Sequence, residues 1–137
     1  MTQRDSRLEK IRKKALRLEK SLQQSEDRFF KMFNFCTKPL LITTVHEGHV
    51  LDANKAFLRF FGYSRSELVG RTTTECGICI HPKRRKTYAQ IVQKKAVRDF
   101  REQLRSKSGQ IRNVLLTADT LRINDEVCIL SMATCEE

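Results

Sequence analysis

The chain has 137 residues, a mass of 16.0 kDa, 39% hydrophobic residues and a formal charge of +11. This length fits one domain with an appendage and leaves no room for a second, catalytic domain. No apolar run reaches the roughly 20 residues of a membrane span, no secretion signal begins the chain, and its five cysteines are an odd number, so we expect a cytoplasmic protein with reduced thiols.

A helix is the first predicted element, over residues 1–25, because Arg4 to Gln24 lacks Gly and Pro and is rich in helix formers. Its apolar residues recur at alternating spacings of three and four, which is a coiled-coil seam formed by Leu8, Ile11, Ala15, Leu18 and Leu22. In a parallel pair, Lys14 and Glu19 would meet across the seam. We therefore expect a homodimer through this helix. The alternative is a linker helix that lies on its own domain.

The chain changes character after Ser25, so a second region is predicted over residues 26–137. Pro39 stops helix propagation, and the β-branched run Leu40 to Val45 predicts a strand. A turn at His46 to His49 joins it to a second extended pair, Val50 and Leu51. These features predict a β-hairpin.

Two short helices with defined ends follow the hairpin. Asn54 is a good N-cap for the first, and Gly62 is a typical residue just past a helix end. Ser64 and Glu67 have the spacing of a capping box for the second, which ends at Gly70.

The remaining chain predicts one longer helix, Lys83 to Lys95, and three strands. The strands are Phe100 to Arg105, Ile111 to Ala118 and Val127 to Ala133, with an extended segment from Leu121 that contains an Asn-Asp turn. The order of elements therefore indicates an α+β domain with five strands, and helices between the second and the third.

Two adjacent motifs resemble the PAS domain family: Gly48 to Phe57 (GHVLDANKAF) and Phe61 to Gly70 (FGYSRSELVG). The resemblance extends over about Arg28 to Glu137. It implies a PAS fold, an antiparallel five-stranded sheet with helices over one face, preceded here by the amphipathic or coiled-coil helix. It also implies a sensor module of a signal-transduction protein, joined to an effector domain such as a histidine kinase or a diguanylate cyclase.

Members of the family often hold a ligand between the helices and the sheet. Apolar residues on the presumed inner sides of their elements are the candidates for the wall of such a cavity: Ile42, Phe57, Phe61, Ile91, Leu116 and Ile129. Plain core packing is the alternative reading of each. No cluster of carboxylate, hydroxyl and imidazole groups predicts an enzyme.

The cofactor is not identified by the sequence. Flavin-binding blue-light members resemble Gly-Arg-Asn-Cys, and this chain has Gly70 to Thr73 there, so Thr73 replaces the thiol that forms the photochemical adduct. Oxygen-sensing members carry a haem-ligating His on the long helix, and Thr87 to Val97 has none. Both chemistries are disfavoured, although noncovalent flavin binding stays open.

Cys76, Cys79 and His81 form the most unusual stretch of the chain. The two thiols have a spacing used by metal sites and by redox pairs, but a structural zinc needs a fourth ligand. The open alternatives are a metal ion, an iron–sulfur cluster, a reversible disulfide and ordinary packing of reduced thiols.

The positive charge raises the rival hypothesis of a nucleic-acid-binding protein, with the run Lys83 to Lys86 as its strongest feature. No zinc finger or base-reading helix accompanies it, so we expect neither a specific nucleic acid nor a membrane as partner. A dimerisation module without a ligand is a third reading. Met132 stands where the family has an exit Asp, which shifts the expected signal output to the N-terminal helix.

Overall fold

The computed structural model describes residues 2–136, and this part of the chain divides after Phe35 into a long helix and a compact α+β unit. The described elements, in chain order, are α1 (Gln3–Phe35), β1 (Leu40–Thr44), β2 (Val50–Ala53), α2 (Lys55–Phe61), α3 (Arg65–Leu68), α4 (Pro82–Lys94), β3 (Val97–Arg105), β4 (Ile111–Ile123) and β5 (Glu126–Cys135). Within residues 2–136, no helix has the length and apolar character needed to span a membrane.

Helix α1 continues for 33 residues, so the division predicted at residue 25 lies inside it. The sequence of α1 contains no Gly or Pro, and the aromatic residues after Ser25 change its apolar pattern without interrupting its hydrogen bonds. The described part of the chain therefore changes from the long helix to the compact unit at Phe35 and Cys36.

All five strands form one antiparallel sheet with the order β2-β1-β5-β4-β3. The predicted five-stranded antiparallel sheet is confirmed. Strand β4 is longer than predicted, because it runs without a break from Ile111 through Leu121 to Ile123. The turn at Asn124 and Asp125 has positive φ angles of 50° and 65°, as a two-residue hairpin turn requires.

The β4–β5 hairpin extends past its neighbours in the sheet. Strand β3 pairs with β4 as far as Ala118, and β1 pairs with β5 as far as Cys128. Beyond these residues the two strands continue to pair with each other up to Ile123 and Glu126. The end of the hairpin is therefore a two-stranded ribbon.

The ends of the short helices agree with the sequence. Asn54 caps α2 by accepting a hydrogen bond from the Phe57 amide at 2.9 Å, and Gly62 ends α2 with a left-handed φ of 82°. Ser64 and Glu67 form the predicted capping box at α3. The caps at Asn54 and Ser64 lie within three residues of the helix amides that they satisfy, so these signals can be read from the local sequence.

Helices α2, α3 and α4 pack on one face of the sheet in two clusters. In one cluster, Tyr88 and Val92 of α4 pack with Val114 and Leu116 of β4. In the other, residues of α2 and α3 pack with β1, β2 and the segment before α4, including Leu41, Val50, Phe57, Phe61, Leu68 and Ile78. Members of both clusters border one internal cavity.

Candidate functional site

The cavity between the helices and the sheet has a volume of about 70 Å³. Its wall is mainly apolar and includes Leu41, Phe57, Ile78, Leu104, Leu116 and Ala133. Pockets that hold drug-sized ligands or cofactors have volumes of roughly 300–1,000 Å³. This cavity is too small for a flavin or a haem, and it suits a molecule of a few heavy atoms.

Two of the six predicted wall residues, Phe57 and Leu116, line this cavity. Phe61 and Ile129 are completely buried, but they lie in the packed clusters beside it. The sequence pattern identifies residues that point inward, and it does not separate a residue that faces a cavity from one that faces another side chain.

Ile42 and Ile91 lie elsewhere. Leu41 and Thr43 line the cavity, so Ile42 between them points to the opposite face of the sheet, because successive residues of a strand alternate. Ile91 is 42% exposed, since α4 buries the side that carries Tyr88 and Val92. Neither residue lines this cavity, and in both cases the reason is the face on which the side chain lies.

Thr73 is the polar wall residue that stands out. It is 6% exposed, and its hydroxyl has no hydrogen-bond partner within residues 2–136. Its backbone is fixed, because its amide donates to the Gly48 carbonyl at 3.1 Å and its carbonyl accepts from the Cys79 amide at 3.0 Å. A buried hydroxyl without a partner costs about 1–3 kcal/mol, so a ligand that meets it gains that stabilisation.

A second polar group on the wall is the pair of Tyr88 and Ser131. Their hydroxyl oxygens lie 2.6 Å apart, which joins α4 to β5. Burial raises the pKa of Tyr88 to about 12, so the phenol is neutral at physiological pH. Ser131 follows Ile129 by two residues on the inner face of β5, and this alternation is the signal that could have identified it.

Arg85 closes the cavity at the β1–β2 turn. Its Nη1 donates to the carbonyls of Val45 at 2.9 Å and His46 at 3.2 Å, and its Nη2 donates to the carbonyl of Thr44 at 2.8 Å. Burial lowers the pKa of Arg85 below its ordinary value. Among residues 2–136, every ion pair involves another cation, so Arg85 has only neutral partners.

Glu102 separates the cavity from an outer groove, because it borders both. Its side chain is 8% exposed and lies on the inner row of β3, between Phe100 and Leu104. Nε of Arg84 donates to the two carboxylate oxygens, each at 3.3 Å, so the buried charge is compensated. Sequence reasoning missed Arg84 and Arg85 because it treated Lys83 to Lys86 as a surface run.

The predicted metal or redox residues do not form one cluster. Cys79 lines the cavity, whereas Cys76 is half-buried with its Sγ 3.9 Å from the Glu67 carbonyl, and His81 borders the outer groove. Burial raises the pKa of the Cys76 thiol. Within the described range, no three His, Cys, Asp or Glu side chains are placed to hold a metal ion. A reversible disulfide between the two cysteines stays a prediction.

Solved structures share the fold of this chain. A PAS domain of an HTR-like protein from Haloarcula marismortui superposes with a TM-score of 0.73 at 18% identity, covering 88% of this chain and 98% of that one. A PAS domain from a two-component sensor histidine kinase gives 0.67 at 20% identity, covering 83% and 99%. A domain of a sensory box sensor histidine kinase/response regulator from Geobacter sulfurreducens gives 0.65 at 22% identity, covering 82% and 95%.

Sequence comparison gives the family directly. No curated protein matches the chain significantly. The family profile described as PAS domain matches residues 37–135, which include every strand and the helices α2 to α4. The chain therefore belongs to the PAS domain family.

Proposed function

We propose that this chain is the sensory and dimerisation module of a cytoplasmic signal-transduction protein. Its PAS domain binds a small ligand in the cavity, and the bound state is relayed through α1 to an effector domain such as a histidine kinase or a diguanylate cyclase. The observation that carries this proposal is the Thr73 hydroxyl, which is buried at an apolar cavity and has no partner within the described residues.

The composition of the wall supports binding rather than simple packing. Small-molecule sites combine apolar walls with a few placed polar groups. Here the apolar surface from Leu41, Phe57 and Leu116 is combined with the hydroxyl of Thr73 and the hydroxyl pair of Tyr88 and Ser131. A ligand with one polar end would meet both kinds of surface.

The exposed apolar seam of α1 supports a parallel homodimer. Because α1 is continuous past Ser25, the spacing of three and four extends from Leu22 through Ser25 to Phe29 and Met32. The large apolar residues of this longer seam are between 47% and 72% exposed, and they are Leu8, Ile11, Leu18, Leu22, Phe29 and Met32. A second copy of the same helix, about 50 Å long, has the matching spacing to cover them.

The relay requires that the ligand bind one arrangement of the dimer more tightly than another. Two of the compared structures belong to sensor histidine kinases, which supports a kinase as the effector. The five cysteines are free in the structure, which accords with the reducing cytoplasm that we propose as its compartment.

Ligand binding is tested by filling the cavity. Ala133 and Ala118 are both 4% exposed on the inner face of the sheet, but of the two only Ala133 lines the cavity. We expect Ala133→Leu to fold and to lose binding of small molecules, because its side chain occupies the ligand's space. Ala118→Leu has no space to fill and should lose about 1–3 kcal/mol of stability.

The measurement is an NMR screen of the full chain against a library of small metabolites, following the amides of Thr73, Cys79 and Leu116. Binders that shift these amides in the wild type and not in Ala133→Leu support the sensor. If no compound shifts these amides while the chain still dimerises, the proposal of a ligand-binding sensor is wrong, and the chain is a dimerisation module without a ligand.

The dimer is tested by paired charge substitutions in α1. Leu18 belongs to the seam and is 62% exposed, whereas Leu16 is 64% exposed and lies outside the seam. Sedimentation equilibrium should show a dimer for the wild type and for Leu16→Lys, and a monomer for Leu18→Lys. Equal dissociation of the two variants would contradict the seam.

A DNA mobility-shift assay at two salt concentrations tests the nucleic-acid alternative, for which strong binding with sequence preference is required.

A further inference from the structure

The chemical class of the ligand can be argued from the charges around the cavity, on the basis of the proposed function. We infer that the cavity takes a small organic monoanion, such as a short-chain carboxylate. Its charged group lies at the end of the cavity formed by Arg85 and Thr73, and its apolar body lies against Phe57, Leu104 and Leu116.

Arg85 and Thr73 belong to the same end of the cavity because both contact Gly48. The Thr73 amide donates to the Gly48 carbonyl at 3.1 Å, and a Cβ on Gly48 would lie 2.6 Å from Nε of Arg85. Cys79 also lies there, since its amide donates to the Thr73 carbonyl at 3.0 Å. This end therefore holds both the guanidinium of Arg85 and the hydroxyl of Thr73.

The charges that border the cavity leave one positive charge uncompensated. Glu102 is the acidic residue on the wall, and Arg84 compensates it at 3.3 Å. Tyr88 is neutral at physiological pH, because burial raises its pKa to about 12. Arg85 remains, with hydrogen bonds to neutral carbonyls and no carboxylate in ion-pair distance among residues 2–136. Arg85 is only partly buried, and a charge that has lost part of its hydration is stabilised when an opposite charge reaches it, so this site favours an anion.

Hydrogen-bond donors favour the same class. A guanidinium has five N–H donors, and Arg85 directs three hydrogen bonds to the backbone. The hydroxyl of Thr73 has no acceptor within the described residues. A carboxylate accepts from both groups, whereas an ammonium group would be repelled by Arg85 and would find no uncompensated acid.

The volume limits the ligand further. At about 70 Å³ the cavity has room for a carboxylate and a short apolar chain. A second carboxylate on the same molecule would face either the apolar wall or the carboxylate of Glu102. The ligand class is therefore a monoanion.

Three probes with a similar four-carbon skeleton test the charge preference: butyrate, butyramide and butylammonium. Each is titrated into the full chain at neutral pH, and the amide shifts of Thr73, Cys79 and Leu116 give its affinity. We expect butyrate to bind at least about tenfold more tightly than butyramide, and butylammonium not to bind, since a charge-assisted hydrogen bond is about twice as strong as a neutral one.

Two variants locate the charged group. Thr73→Val preserves the shape of the side chain and removes its hydroxyl, so butyrate affinity should fall about tenfold with no change in the fold. Arg85→Lys keeps the charge, and Arg85→Met removes it, so the preference for butyrate over butyramide should persist in the first and disappear in the second. Thr73→Val remains informative if the Arg85 variants do not fold.

The possible outcomes separate this inference from the proposed function. If butyrate and butyramide bind with equal affinity, the inference of an anionic ligand is wrong, and the proposed sensor would bind neutral ligands instead. If butyrate still shifts the amides of the Ala133→Leu variant, it binds at a surface site, and the inference is wrong in this case as well. If none of the three probes shifts the cavity amides while the metabolite screen yields a cavity binder, the inference fails and the sensor stands. If neither the three probes nor the metabolite screen yields a cavity binder, both the inference and the proposed sensor function are refuted.

Discussion

Replacing Gly48 with alanine should destabilise the domain through two separable effects at the β1–β2 turn. Gly48 has a φ of +73°, which is unfavourable for a residue with a side chain. A Cβ at this position would also lie 2.6 Å from Nε and 2.7 Å from Cζ of Arg85. The first effect is local to the backbone, and the second displaces the guanidinium from the turn.

The magnitude follows from adding the two effects. The positive φ costs a residue with a Cβ about 1–2 kcal/mol. Arg85 has a flexible side chain, so it can move aside, but it then weakens its hydrogen bonds to the carbonyls of Thr44, Val45 and His46. That displacement costs about 1–3 kcal/mol more. We expect Gly48→Ala to lower the free energy of unfolding by about 2–5 kcal/mol, a large part of the roughly 5–15 kcal/mol of a typical domain.

Gly70 provides the matched control, since its φ is +88° and a Cβ there would meet nothing within 4 Å. In urea unfolding followed by circular dichroism, Gly70→Ala should lose only the about 1–2 kcal/mol of the backbone effect. In an Arg85→Ala background, Gly48→Ala should cost no more than Gly70→Ala does. If Gly48→Ala and Gly70→Ala cost the same in the wild type, the contact with Arg85 contributes nothing and the reasoning is refuted.

Two further predictions concern the buried amide and the exposed ion pair. Asn54→Ala should lower the free energy of unfolding by about 2–4 kcal/mol, because Oδ1 of Asn54 accepts hydrogen bonds from the amides of Leu40 and Phe57, each at 2.9 Å. Asn54→Asp keeps this acceptor, so it should recover part of the loss in the same urea assay. The hydrogen bond from Lys107, followed by those from Ser64, lowers the pKa of Glu67 from 4.5 to about 2. This pKa should appear in a carbon NMR titration and should rise in Lys107→Met. Because this pKa is depressed, the stabilisation is present above pH 4.5 and is lost as the pH falls towards 2, so Glu67→Gln should flatten the acid limb of the stability curve. An acid limb unchanged by that substitution would contradict the assignment.

Local signals explain why so much of the fold could be predicted. The caps at Asn54 and Ser64 act on backbone groups within three residues, and they are in place in the structure. The end of α1 was harder, because a change of apolar pattern after Ser25 does not by itself stop a helix. Strand β4 was predicted too short, since the predicted strand ended at Ala118, whereas Asp119 and Thr120 continue it by pairing with β5.

The cavity was only partly predictable, because apolar patterning finds inward-facing hydrophobic residues and assigns charged residues to the surface. Phe57 and Leu116, which line the cavity, are inward-facing residues of this kind. Arg85 and Glu102 were missed because only tertiary contacts make their positions on the wall favourable. Arg85 donates to carbonyls of the β1–β2 turn, and Glu102 accepts from Arg84. Such partners are distant in sequence, and a single sequence does not reveal them.

The two-stranded ribbon at the end of β4 and β5 has a practical consequence. Beyond Ala118 and Cys128 each strand has one paired edge instead of two, so its amides should exchange with solvent earlier than those in the centre of the sheet. The turn at Asn124 and Asp125 is a suitable place for a fluorescent probe or a short peptide insertion. A label there would report on the sheet while leaving the cavity wall unaltered.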